Sequence, residues 1–296
     1  MNREAALLME HEVRWPKGNT RLKPRPVCRV IAVTSGKGGV GKSSIVVNLG
    51  LALTRLGQRV LLLDADLGLA NLDILIGLTP LYTIADVFSG HKTLAEVIMA
   101  GPEGMQILPA ASGVMESAEL NQAQKLFLLG ELDNLSENFD YLLVDTGAGI
   151  SANVLYFNLG AQERIVVADH EPTSVVDAYA LIKVLATKYS EKRFKLLFNK
   201  ITHPGEAQRT YDQLSKVVDR FLSGSVIIDY LGFIPRDEAM PRSISLQKAA
   251  VDIFSTSPAS LAFSNLARTL VLQEPDTATD GNIKFCWQRL THSPHQ

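Results

Sequence analysis

A doubly wound α/β sandwich, with a mostly parallel sheet and helices on both faces, is the fold class the sequence predicts. Two patterns predict it. Short apolar runs at 28–34, 59–64, 105–109, 141–145, 164–169, 194–199 and 230–235 are nearly continuous rather than alternating. Strands buried on both faces read that way, because neither side of the pleat meets water. Helical stretches at 42–56, 123–138, 174–189, 206–221 and 258–270 separate most of them, and strand–helix alternation at this spacing makes a three-layer sandwich with right-handed crossovers.

The 296 residues suffice for one large α/β domain, predicted over 27–272. Ahead of it, 1–26 turns Pro-, Arg- and Lys-rich after Arg14, and Pro24 and Pro26 stop a helix, so it reads as a mobile basic arm. Behind it, 273–296 is a polar linker followed by an amphipathic segment. A net charge of −2 gives no general reason to expect nucleic acid, and direct DNA binding is not expected. Cys28 and Cys286 make neither a disulfide framework nor a metal quartet, which suits a reducing cytoplasm. The first residues lack the pattern of a signal peptide, and no apolar run approaches the roughly 20 residues that cross a bilayer.

The first strand-to-helix junction carries the chemistry. Gly36-Lys37-Gly38-Gly39-Val40-Gly41-Lys42-Ser43 matches the phosphate-binding loop G-x-x-x-x-G-K-[ST]. Glycines allow positive φ, so successive N–H groups turn inward around a phosphate, and the helix end adds its dipole. Lys42 is expected at the β- and γ-phosphates and the Ser43 hydroxyl on Mg²⁺, with Ser44 completing the nucleotide-binding set. Four hydrophobics lead into Asp145, a Walker B strand whose carboxylate belongs to the Mg²⁺ shell, and the glycines after it suit a switch segment. Asp64 and Asp66 close another buried run and face the ligand crevice.

Lys37-Gly38-Gly39-Val40-Gly41-Lys42-Ser43 resembles the deviant Walker A family of MinD and ParA, P-loop NTPases. The resemblance implies an ATPase that dimerises on ATP, with Lys37 reaching the partner's phosphates. A cation brought to the developing charge of the transition state accelerates hydrolysis. It also implies that Asp66 positions the attacking water and that Asp64 joins the Mg²⁺ environment through water. Lys37, Asp66 and Lys42 are thus the expected catalytic residues, and Mg²⁺ with ATP or ADP the expected cofactors. Asn199-Lys200-Ile201-Thr202 lies near the guanine-reading N-K-x-D but lacks its aspartate. The family's adenine pocket is the better reading, with Asn199 on the base and Pro235, Arg236 and Asp237 packing beside it; an ordinary strand-to-helix turn is the other reading of those three. Two distant cysteines exclude the relatives that share an iron–sulfur cluster.

Within the family, 64–73, 108–113, Glu171-Pro172-Thr173-Ser174, 177–183 and 219–222 look most like the flagellar-number ATPases FlhG and FleN. That likeness implies a regulator of flagellar number and placement, in the cytoplasm and at the periphery of the inner membrane at the cell pole. An SRP-type GTPase and an enhancer-binding transcription activator are the implied partners. A ParA-like partition ATPase that associates with DNA, a MinD-like division-site ATPase and a nucleotide-dependent scaffold without catalysis are the alternatives. Ile283, Cys286, Trp287 and Leu290, flanked by Phe285, fall on one face of a helix, a pattern suited to a membrane surface or a partner. The same face suits a segment folded back on its own domain.

Overall fold

Residues of the central strands in this chain find apolar neighbours on both sides. In the computed structural model, which describes residues 28–110, 119–222, 224, 226–275 and 284–285, the strands are β1 (Arg29–Ser35), β2 (Val60–Ala65), β3 (Met99–Ala100), β4 (Gln106–Leu108), β5 (Tyr141–Ala148), β6 (Glu163–Ala168), β7 (Arg193–Ile201) and β8 (Ile227–Pro235). They form one sheet in the order β3-β4-β2-β5-β1-β6-β7-β8. Every pairing is parallel except that of β3 with β4. The predicted fold class is the observed one. The predicted basic arm and residues 111–118 lie outside the described residues.

The helices are α1 (Lys42–Arg55), α2 (Leu72–Leu75), α3 (Ile84–Phe88), α4 (Leu94–Val97), α5 (Gln122–Leu135), α6 (Ala152–Gly160), α7 (Pro172–Tyr189), α8 (Pro204–Phe221), α9 (Ala239–Ser245), α10 (Ala250–Ile253) and α11 (Pro258–Leu272). Ile31, Val33, Leu62, Leu143 and Leu197 point to one face, where α1, α10 and α11 cover them. Val30, Ala32, Leu61, Leu63 and Val144 point to the other, under α3 to α6. Leu196 and Phe198 continue that second face beneath α7 and α8. Period-two alternation is therefore present in the backbone and invisible in the sequence, because both faces are dry.

Helix α6 is the main element the apolar pattern does not announce. Asn153 and Asn158 interrupt its face, yet both are buried and bonded: Asn153 Oδ1 accepts from Leu120 N and Asn158 Nδ2 donates to Thr34 Oγ1. Charges at the amino ends of strands are also paired inside. The Arg29 guanidinium lies on the Glu163 carboxylate, and Lys195 Nζ reaches Glu163 Oε2 at 2.7 Å. The carboxyl ends of β1, β2, β5 and β7 meet at the opposite edge, flanking the point where strand order reverses. Ligands of open α/β sheets sit at such a crevice.

Candidate nucleotide site

The turn between β1 and α1 is built to hold an anion. Gly39 and Gly41 take φ 77° and 96°, a left-handed region that side chains rarely adopt. At Gly41 a Cβ would also stand 2.5 Å from Asn199 Nδ2, so glycine is the residue that fits. No side chain caps α1, which leaves its first N–H groups and dipole to a ligand. Lys42 is buried at the mouth of this cradle and donates to Ser35 Oγ at 3.0 Å, while Ser35 donates to Lys37 O at 2.7 Å. Burial lowers the Lys42 pKa against the pull of Asp145 and Asp66.

Register brings the acids together. Asp64 of β2 and Asp145 of β5 are direct cross-strand partners, and each is 1% exposed. Burial raises the Asp64 carboxyl to about 6. Its oxygens accept N–H bonds from Asp66, Asn71 and Leu72 at 3.2, 2.9 and 3.1 Å. Asp64 thereby fastens the loop that carries Asp66, a role that sequence reasoning missed. Burial first, then the neighbouring Asp64, push Asp145 up to about 8, against the Ser43 hydroxyl and Lys42. Asp145 Oδ1 is buried with no hydrogen-bond partner. An orphaned carboxylate oxygen beside a hydroxyl and a phosphate cradle fits Mg²⁺, which takes one or two carboxylates and completes its shell with phosphate and water. Asp66 is half-buried, and a Cβ on Gly147 would lie 3.6 Å from its Oδ1, so the loops that carry Asp66 and Gly147 face each other across the crevice.

Lys37 is turned aside. It is 35% exposed, pairs with Glu171 and donates to Thr173 Oγ1 at 3.1 Å. The Glu171 bond raises its pKa above the ordinary lysine value. In the single chain this lysine is thus held at the start of α7. Sequence reasoning singled out Glu171 and Thr173 only for their family likeness and did not connect them with Lys37.

The residues expected at the adenine already hold bonds within the chain. Asn199 is buried, donates from Nδ2 to Val40 O at 2.7 Å and accepts from Lys200 N at 2.9 Å. Its amide is engaged by the phosphate loop, leaving one N–H and one lone pair for a base. Asp237 accepts from Ala239 N and Ala259 N, both at 2.9 Å. Burial would raise it, yet these bonds and the Ser257 hydroxyl hold it below the usual carboxylate range. Asp237 is therefore a tie between the starts of α9 and α11, and Arg236 is exposed. Both oxygens of Asp237 bind backbone, as a strand-to-helix turn requires. Pro235 is the last residue of β8, in register with Ile201.

The tail yields a correction. Phe285, expected to face lipid or a partner, is 0% exposed. Its ring stands edge-on to Tyr156 at 5.6 Å, and its N–H donates to Gly160 O at 2.7 Å. Lys284 joins Glu191 at 2.9 Å. An aromatic ring with a cleft in reach buries more apolar area there than in water. Ile283, Cys286, Trp287 and Leu290 lie outside the described residues. No helix among the described residues is long and apolar enough to cross a membrane.

Residues 31–250 match the family model described as CobQ/CobB/MinD/ParA nucleotide binding domain. The chain is 45% identical over 266 residues to the antiactivator FleN of Pseudomonas aeruginosa, covering 90% of this chain and 94% of that protein. It is 35% identical over 246 residues to the flagellum site-determining protein YlxH of Helicobacter pylori, covering 81% and 80%. Among solved structures, the Aquifex aeolicus MinC:MinD cell division protein complex superposes with a TM-score of 0.68 at 29% identity, covering 83% of this chain and 97% of that one. MinD of Pyrococcus horikoshii, solved with Mg-ADP, gives 0.67 at 25% identity, covering 82% and 96%.

Proposed function

The chain belongs to the MinD/ParA nucleotide-binding family, and on that premise we propose that it is an ATP-dependent dimerising switch that regulates flagellar number and placement. It is an ATPase, and Mg²⁺·ATP supplies the phosphoryl group and much of the charge neutralisation for its transfer. The loop amides and Lys42 bind the phosphates, Ser43 and Asp145 hold the metal, and Asp66 orients the attacking water. Lys37, released from Glu171, stabilises charge on the partner subunit's nucleotide.

The observation that carries the switch is Lys37 beside a complete cradle yet turned to Glu171 and Thr173. A lysine turned out of its own crevice is placed to reach a second one once its bond to Glu171 is released. The flagellar limb is supported by the names of the two relatives. Partners that act through it are an SRP-type GTPase and an enhancer-binding activator of flagellar genes, with the inner membrane at the pole as its working surface.

Size-exclusion mass with ADP and then with a non-hydrolysable ATP analogue, with and without anionic liposomes, tests the reading. A doubled mass with the analogue is expected, and liposome binding is expected of that species alone. A single chain at every concentration would remove the switch and leave the ATPase. Flagellar counts in a deletion strain test the biological limb; unchanged number and placement would refute it.

A further inference from the structure

Lys200 has no place in the site as the sequence motifs define it, yet the backbone adopts a costly shape to present it. It takes φ 58°, the left-handed region that a residue with a Cβ rarely enters and that persists where surroundings enforce it. The β7–β8 register breaks between Phe198 and Ile201, so residues 199 and 200 bulge out of the strand. From that bulge Lys200 Nζ donates to Gly39 O at 2.7 Å, and Asn199 Nδ2 donates to Val40 O at 2.7 Å. Lys200 N in turn fixes the Asn199 side chain through its Oδ1 at 2.9 Å.

Two successive carbonyls of the phosphate loop are thus held from outside. In a trans peptide the C=O of one residue and the N–H of the next point in opposite directions. Drawing the Gly39 carbonyl toward Lys200 therefore aims the Val40 N–H inward, and drawing the Val40 carbonyl toward Asn199 does the same for the Gly41 N–H. Gly39 can adopt either sign of φ, so without a tether its peptide is free to turn and present an oxygen to the phosphates.

We propose that Lys200 is a positioning residue of the nucleotide site: its ammonium latches the Gly39 carbonyl and keeps the Val40 N–H pointed at the phosphates before nucleotide arrives. The proposal rests on the nucleotide-binding reading, and wild-type MgADP affinity is the control that separates the two. Pre-organisation of this kind lowers the cost of binding and leaves the chemical step alone.

The test compares Lys200→Met, Lys200→Gly and Lys200→Arg in the full-length chain. MgADP binding by calorimetry, steady-state ATPase kinetics and thermal midpoints without nucleotide are the readouts. Losing a charge-assisted bond to the loop is expected to weaken MgADP about tenfold in the Met and Gly variants. KM should rise with kcat unchanged, and Arg should recover most of the loss. Glycine relaxes the positive φ, so Lys200→Gly should melt no lower than wild type while binding more weakly. That combination cannot arise from general loosening of the fold. MgADP affinity within about twofold of wild type in both variants, or a lower melting point of Lys200→Gly accompanying its weaker binding, overturns the proposal. An altered preference for ADP over GDP also overturns it, since that would put Lys200 on the base.

Discussion

Replacing Asp145 by asparagine separates what the site does for activity from what it costs the fold. The carboxyl is 1% exposed, lies across from Asp64 and has one oxygen without a partner. Burial first, then Asp64, raise it from 3.8 to about 8. A carboxyl whose folded-state pKa exceeds its unfolded value binds more protons when folded, so its contribution to stability falls as pH rises from about 4 to about 8. At pH 7.5 that difference sets a ceiling of about 5 kcal/mol on the penalty. Water entering the cradle and the need to satisfy an amide reduce the expected gain to about 1–3 kcal/mol. For a domain of this size that raises the thermal midpoint by roughly 2–6 °C. Differential scanning fluorimetry in EDTA, without nucleotide, from pH 5 to 8 measures it. Asp145→Asn should melt higher than wild type, with an advantage that shrinks toward pH 5, and should lose Mg²⁺-dependent hydrolysis. A variant that melts lower at pH 7.5, or whose difference from wild type ignores pH, would refute the account of a buried carboxyl kept at a cost to stability.

Asp66→Asn should bind MgADP within about twofold of wild type and hydrolyse ATP about a hundredfold more slowly; single-turnover rates near wild type would take Asp66 out of the reaction. Lys37→Ala should bind nucleotide yet stay one chain with the ATP analogue, whereas Glu171→Gln, by freeing the lysine, should dimerise at about twofold lower protein concentration, the modest size expected of an exposed pair. Sedimentation velocity distinguishes these outcomes, and a Lys37→Ala dimer of wild-type strength would contradict the role in trans. A Cβ on Gly160 would stand 2.3 Å from the Phe285 ring, so Gly160→Val should expel the ring and make the chain beyond residue 275 cleavable by protease at lower dose. Digestion at the wild-type rate would show that Phe285 does not anchor the tail.

The linear order of residues was enough for the sandwich, the phosphate loop and the three aspartates, because each is a local pattern. Continuous apolar runs follow from two dry faces, and Gly39, Gly41, Lys42 and Ser43 lie close together along the chain. Helix α6 escaped because the partners that let Asn153 and Asn158 be buried are Leu120 and Thr34, far away in sequence.

What only the tertiary structure decided was how distant groups divide their hydrogen bonds. Asn199 looks like a base reader in one dimension and in space also grips a carbonyl 159 residues away, while Lys200 beside it grips one 161 residues away. Asp237 ties two helices together, while Phe285, on an amphipathic pattern that suits a membrane, a partner or its own domain, fits a cleft that only a glycine at 160 leaves open. Composition and spacing state which groups must be satisfied; which partner satisfies them is a property of packing, since donors and acceptors that never meet along the chain compete once the sheet brings them within 3 Å.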